Sequence, residues 1–135
     1  MRPALADYIL LFRKPGENTE PVNPNDVSND DWIQWARPIW YGIQESDTLN
    51  FREARADKDE RHICPLQLGV IERCIRLWSN VGDLVCSPFM GIGSEGYQAI
   101  RFGRRFIGCE LKPEYYRWAV KNLEAAKSAS SSLFG

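Results

Sequence analysis

Eleven residues, Leu84-Val85-Cys86-Ser87-Pro88-Phe89-Met90-Gly91-Ile92-Gly93-Ser94, constrain this chain more than any others. A short apolar run, a turn holding two glycines and then a helical pattern is how a parallel sheet presents backbone to a ligand at the carboxyl end of a strand. Gly91 and Gly93 permit close approach and positive φ there. Phe106-Ile107-Gly108-Cys109-Glu110 repeats the pattern of an apolar run and ends on an acid seventeen positions after Gly93. In that place a carboxylate can accept hydrogen bonds from both hydroxyls of a ribose. The order of strand, glycine turn, helix, strand and acid predicts a pocket for a ribose-bearing cofactor.

The turn itself narrows the cofactor. It has no Gly-Lys-Ser/Thr, so a lysine-cradled phosphate is unsupported. Glu95, in the first helical turn, would repel a pyrophosphate and weakens the alternative of a nicotinamide enzyme. A cofactor with a ribose, a cationic centre and no phosphate fits better, namely S-adenosylmethionine.

Three segments then carry a resemblance: His62-Ile63-Cys64-Pro65-Leu66-Gln67, Ser87 to Ser94, and Gly103-Arg104-Arg105-Phe106-Ile107-Gly108-Cys109-Glu110-Leu111-Lys112-Pro113-Glu114-Tyr115-Tyr116. In this order and spacing they resemble the DNA amino-methyltransferases, above all the phage and restriction-modification enzymes whose cofactor motif follows the catalytic one. The likeness covers residues 40 to 123, and more loosely 8 to 16. It implies an α/β fold, part of a Rossmann-like S-adenosylmethionine-dependent methyltransferase, with a mostly parallel sheet flanked by helices. Carried over by residue, it implies that Phe89, Gly91 and Gly93 line the methionine side of the cofactor, with Ser87, Pro88 and Ser94 in the same turn. Glu110, followed by Leu111, would hold the ribose. His62, Ile63, Cys64, Pro65 and Gln67 would wrap the carboxylate end. The chain departs from the family at Ser87, where an Asp is usual, and a hydroxyl supplies no charge there.

Composition bounds the rest. With 135 residues, 44% of them hydrophobic and five tryptophans among them, the chain is large enough for one core and reads as a single domain. Within it, 1–61 holds a late strand and a possible target-contact region, 62–127 the cofactor-binding βαβα region, and 128–135 a flexible tail. No apolar run approaches the roughly 20 residues of a membrane span, and a cytoplasmic location is expected. Four cysteines lack the close pairs of a zinc site, so buried thiols and no metal are expected. A formal charge of −1 argues against tight autonomous DNA binding. The segment Arg52 to Arg61 mixes four basic with four acidic residues and reads as a solvated face.

Along the chain, Tyr8-Ile9-Leu10-Leu11-Phe12 reads as a strand buried on both faces. Residues 15 to 31, rich in proline and asparagine, read as loop. Asn29 or Asp30 would cap a short helix with Trp32 and Trp35 on one face, ending before Pro38. These tryptophans, with Trp40 and Tyr41, read as core rather than as a base-contacting surface. Pro65 suits the first position of a helix in which Leu68, Ile71, Ile75 and Trp78 step by three and four. Strands are predicted at Leu84 to Cys86 and Phe106 to Cys109, and between them a helix capped by Ser94 and closed by Gly103. Pro113 and Glu114 would open the last helix, with Tyr116, Val120 and Leu123 on one face and Ser128 to Ser132 a frayed tail.

The resemblance also implies an acceptor site: Asp, Asn or Ser, then Pro-Pro and an aromatic residue that stacks on a flipped base. No Pro-Pro occurs in these 135 residues, so no catalytic residue is assigned. His62 reads as shaping the cofactor loop rather than as a base. The chain is therefore expected to be the carboxyl-terminal, cofactor-binding half, inactive alone and with an open sheet edge. Its expected partners are a catalytic-half polypeptide or a second copy, with DNA bound weakly alone. The alternative is a non-catalytic cofactor- or DNA-binding regulatory remnant that keeps the fold and not the chemistry.

Overall fold

Apolar spacing decides most of the helical content. The computed structural model describes residues 7–50 and 65–132. Its elements are a 3-10 turn Pro24–Asp26, α1 Asn29–Trp35, α2 Leu68–Trp78, β1 Leu84–Ser87, α3 Ser94–Arg101, β2 Arg105–Gly108 and α4 Pro113–Ser132. In α2 the residues Leu68, Ile71 and Ile75 are buried, as their spacing predicts, and Trp78 stays partly exposed. The helix begins later than expected. Pro65 lies three residues ahead of it, Gln67 is the cap, and the Leu68 amide donates to Asp47 O at 2.8 Å.

The two strands pair in parallel, with Leu84 beside Arg105 and Ser87 beside Gly108. The helix between them, α3, contacts both strands, α2 and α4, and so forms the centre of the unit. Leu68, Ile71, Ile75 and Ala99 make the core, with Val85 and Phe106 packed against them from the sheet. Gly96 makes this closeness possible. A Cβ there would lie 2.5 Å from Leu123 Cδ2 and 2.6 Å from the Phe106 ring. Gly103, at φ 75°, closes α3 as expected, its amide donating to Ile100 O at 3.0 Å.

Several expectations are corrected. Tyr8 to Phe12 is not a strand buried on both faces: it pairs with nothing in the sheet, and Tyr8, Leu10 and Phe12 are largely exposed. A strand's burial comes from neighbours on both sides, and among the described residues the sheet has two strands. The same shortage exposes Leu84, Cys86, Ile107 and Cys109, which alternate onto the uncovered sheet face. Cys86 and Cys109 are thus not buried thiols. Cys74 is half-buried in α2, and burial pushes its thiol up to about 11. Cys64 and the segment Arg52 to Arg61 lie outside the described residues.

Helix ends also differ. Ser28 caps α1, its hydroxyl accepting from the Asp31 amide at 3.1 Å, in place of Asn29 or Asp30. Gly93, not Ser94, caps α3. Only half of the aromatic cluster is core. Trp35 is buried and Trp40 stacks on Trp78 at 6.2 Å, whereas Trp32 and Tyr41 face solvent. In α4 the buried positions are Ala119 and Ala126, with Tyr116 half-exposed, so the packed face is rotated from the one the larger side chains suggested. The helix runs on through Ser132, where a frayed tail is expected from the serines. Among the described residues no helix is long and apolar enough to cross a membrane.

Candidate cofactor site

Where β1 and β2 end, the chain builds a turn held almost wholly by backbone. Cys109 N donates to Ser87 O at 3.0 Å, Met90 N to Cys109 O at 2.9 Å, and Gly93 N to Met90 O at 2.7 Å. The two glycines have φ of 53° and 86°, a region that side-chain-bearing residues rarely adopt. Only glycine satisfies this geometry cheaply. Gly91 faces open space, since a Cβ there would meet nothing within 4 Å.

Glu110 closes the arrangement. Gly91 N donates to its Oε2 at 3.0 Å and Lys112 N to its Oε1 at 2.8 Å. Each oxygen is thereby fixed in place while keeping lone pairs for further donors. An immobile carboxylate at the end of a strand, beside the open side of Gly91, can accept from a pair of hydroxyls. Phe89, in the turn, and Leu111, next to Glu110 in the chain, are 87% and 99% exposed, so two apolar side chains have little of their surface covered.

Ser94 is the first helical residue, 4% exposed, and its Oγ has no hydrogen-bond partner. The first amides of α3 have no intrahelical acceptor and the cap, Gly93, offers no side chain, while the Glu95 amide donates to its own carboxylate. The orphaned Ser94 hydroxyl suits a polar ligand group. Ser87 is buried and Pro88 exposed at the turn's start. Pro65 and Gln67 are half-buried just before α2, and Leu66 between them shares an apolar groove of about 350 Å³ with Glu95, Ile71, Trp78 and Leu84. The 65–67 segment therefore reaches the first turn of α3. His62, Ile63 and Cys64 lie outside the described residues.

Glu95 pays for that position in charge. Burial in the groove raises its carboxyl above the ordinary 4.5, only partly opposed by a hydrogen bond from its own backbone amide. Because the folded chain holds this proton more tightly, Glu95 costs stability as pH rises from about 4.5 through the raised value. Glu95→Gln is therefore expected to melt higher than the parent chain at pH 7, with the difference shrinking at pH 4; equal melting at both would refute this. Gly96 completes a Gly-x-Gly-x-x-Gly spacing with Gly91 and Gly93, its role here being helix-to-strand packing.

The family model for "DNA methylase" (N6_N4_Mtase) matches residues 3–121. The chain belongs to this family. It is 34% identical over 119 residues to the Type II methyltransferase M.BglI of Bacillus subtilis, covering 87% of this chain and 30% of that protein. To M.Cfr9I of Citrobacter freundii it is 35% identical over 129 residues, 85% of this chain and 43% of that one. Among solved structures it is similar to TTHA0409 of Thermus thermophilus, assigned as a DNA modification methylase and solved with S-adenosyl-L-methionine. That match has a TM-score of 0.63 and 29% identity over 85% of this chain and 41% of the other. The chain thus spans less than half the length of each of these relatives. The expected α/β methyltransferase fold is borne out, the described elements being part of it.

Sequence reading missed the network at the opposite end of the two strands from the turn. Arg104 is buried and donates to Ser79 Oγ at 3.1 Å, Ser79 O and Phe102 O at 2.6 Å, and Asp26 Oδ2. Arg76 also donates to Asp26 O. This hub ties the 3-10 turn to α2 and to the start of β2. The only sequence signal was an arginine directly after the closing glycine of α3.

Proposed function

We propose that residues Ser87 to Leu111 bind S-adenosylmethionine and that this chain supplies the cofactor-bearing part of a DNA methyltransferase acting on the exocyclic amine of adenine or cytosine. The observation that carries this reading is the Glu110 carboxylate, pinned by the Gly91 and Lys112 amides beside an open glycine. Glu110 would accept from the ribose hydroxyls, Leu111 would lie beside the adenine, and Phe89, Gly91 and Gly93 would line the methionine side, the glycines letting the backbone approach. Ser94 Oγ and the first α3 amides, with Pro65 and Gln67 nearby and His62 to Cys64 preceding them, would meet the amino-acid end. The bound cofactor supplies an electrophilic methyl group. The chain's own part is to bind and orient it.

The Pro-Pro-aromatic acceptor motif implied by the family resemblance is not within these 135 residues, so the base pocket is assigned to polypeptide outside them. Within the described residues β1 pairs on one edge alone and one sheet face is bare, an arrangement that invites another chain. The partner is a catalytic-half polypeptide or a second copy, and DNA is bound weakly by this chain alone, given its charge of −1. Titration calorimetry is expected to detect S-adenosylmethionine binding, while the isolated chain transfers no methyl group to unmethylated DNA. Size-exclusion chromatography is expected to show concentration-dependent association; a 15.5 kDa monomer at every dilution sinks that part of the proposal. A second reading, a non-catalytic binding module, is favoured by Ser87 in place of an acid, and absence of cofactor binding at millimolar concentration would leave it standing.

A further inference from the structure

One peptide unit of the cofactor turn is held from both ends. The plane joining Ile92 to Gly93 adjoins, at its Gly93 end, a glycine of positive φ, where backbone rotation meets little steric resistance. Its N–H, on Gly93, donates to Met90 O at 2.7 Å. Its carbonyl, on Ile92, accepts from the side-chain amide of Asn122 at 2.8 Å, across from α4. One turn earlier on α4, Ala119 is fully buried, and a Cβ on Gly93 would come within 3.2 Å of its Cα and Cβ. A small residue admits the turn and a donor one helical turn on catches it. Asn122 is half-buried and belongs to no part of the pocket described above.

We propose that Asn122 is a positioning residue for the cofactor turn. By fixing the Ile92–Gly93 peptide it sets the direction of the α3 amides that follow and of the Gly91 backbone that precedes. Asn122 touches no ligand and acts through that peptide. The inference rests on the assignment of Ser87 to Glu110 to S-adenosylmethionine, yet the hold on the turn can be read without it.

The test uses the full chain, uniformly labelled with nitrogen-15, and two variants. Asn122→Leu removes the donor, and Asn122→Asp keeps shape and packing while turning a donor into an acceptor facing a carbonyl. Amide hydrogen exchange of Gly93 in the ligand-free protein is expected to quicken about tenfold in both, with Ala99 and Ile100 inside α3 unchanged, as loss of one hydrogen bond implies. Unchanged exchange at Gly93, parent-like exchange in Asn122→Asp, or equal quickening throughout α3 and α4 would overturn the proposal. Calorimetry with S-adenosylmethionine forms the second arm, with affinity expected to fall about tenfold in both variants. Undiminished affinity overturns the positioning role. Failure of the parent chain to bind refutes the cofactor assignment instead, and the exchange result then decides on Asn122 by itself.

Discussion

Replacing Glu110 with alanine is expected to weaken S-adenosylmethionine binding about a hundredfold in titration calorimetry. Two hydrogen bonds to a charged acceptor contribute about 1.5 kcal/mol each at the lower end, and 1.4 kcal/mol is a factor of ten. The carboxylate also orders its own surroundings, since Gly91 N and Lys112 N both donate to it. Glu110→Gln keeps the shape but turns one end into a donor that must face an amide N–H, so a loss nearly as large is expected. Affinity in Glu110→Ala within twofold of the parent chain would show that the ribose lies elsewhere.

Arg104→Ala should strongly destabilise the fold. The side chain is fully buried, and its removal strips donors from Ser79 O, Phe102 O and the Asp26 carboxylate together. Breaking a buried charged pair by deleting one partner costs about 3–5 kcal/mol, and since Asp26 is 23% exposed the lower end applies. At about 3 °C per kcal/mol for a chain of this size, the melting temperature should fall by about 10 °C. Arg104→Lys should recover little, because one ammonium cannot reach acceptors spread over three residues. Denaturant titration showing a loss below about 1 kcal/mol would mean that the hub is incidental.

The cofactor turn was legible because its constraints are local. Positive φ at Gly91 and Gly93, an acid at the end of the second strand and a closing glycine at Gly103 are each set within a few residues, and all stand in the structure as the pattern implied. The α2 face was legible for the same reason, as Leu68, Ile71 and Ile75 recur at the helical period. The Asp26–Arg104 pair spans 78 positions, and neither residue type nor periodicity marks it. Asn122 was equally hidden, a polar residue beside alanines on a helix whose larger side chains suggested another face.

By itself, then, the sequence determined where the turn falls, its glycine geometry, its acid and the helices that bracket it, since bond rotations and near-neighbour packing settle these. Tertiary structure alone decided which face of α4 turns inward, why Ala119 and Asn122 matter, and how Arg104 is satisfied. It also decided that Tyr8 to Phe12, Cys86 and Cys109 lie exposed. Burial of a strand belongs to the sheet around it: an apolar run states a preference for covered surroundings, and only neighbouring strands and helices can supply them.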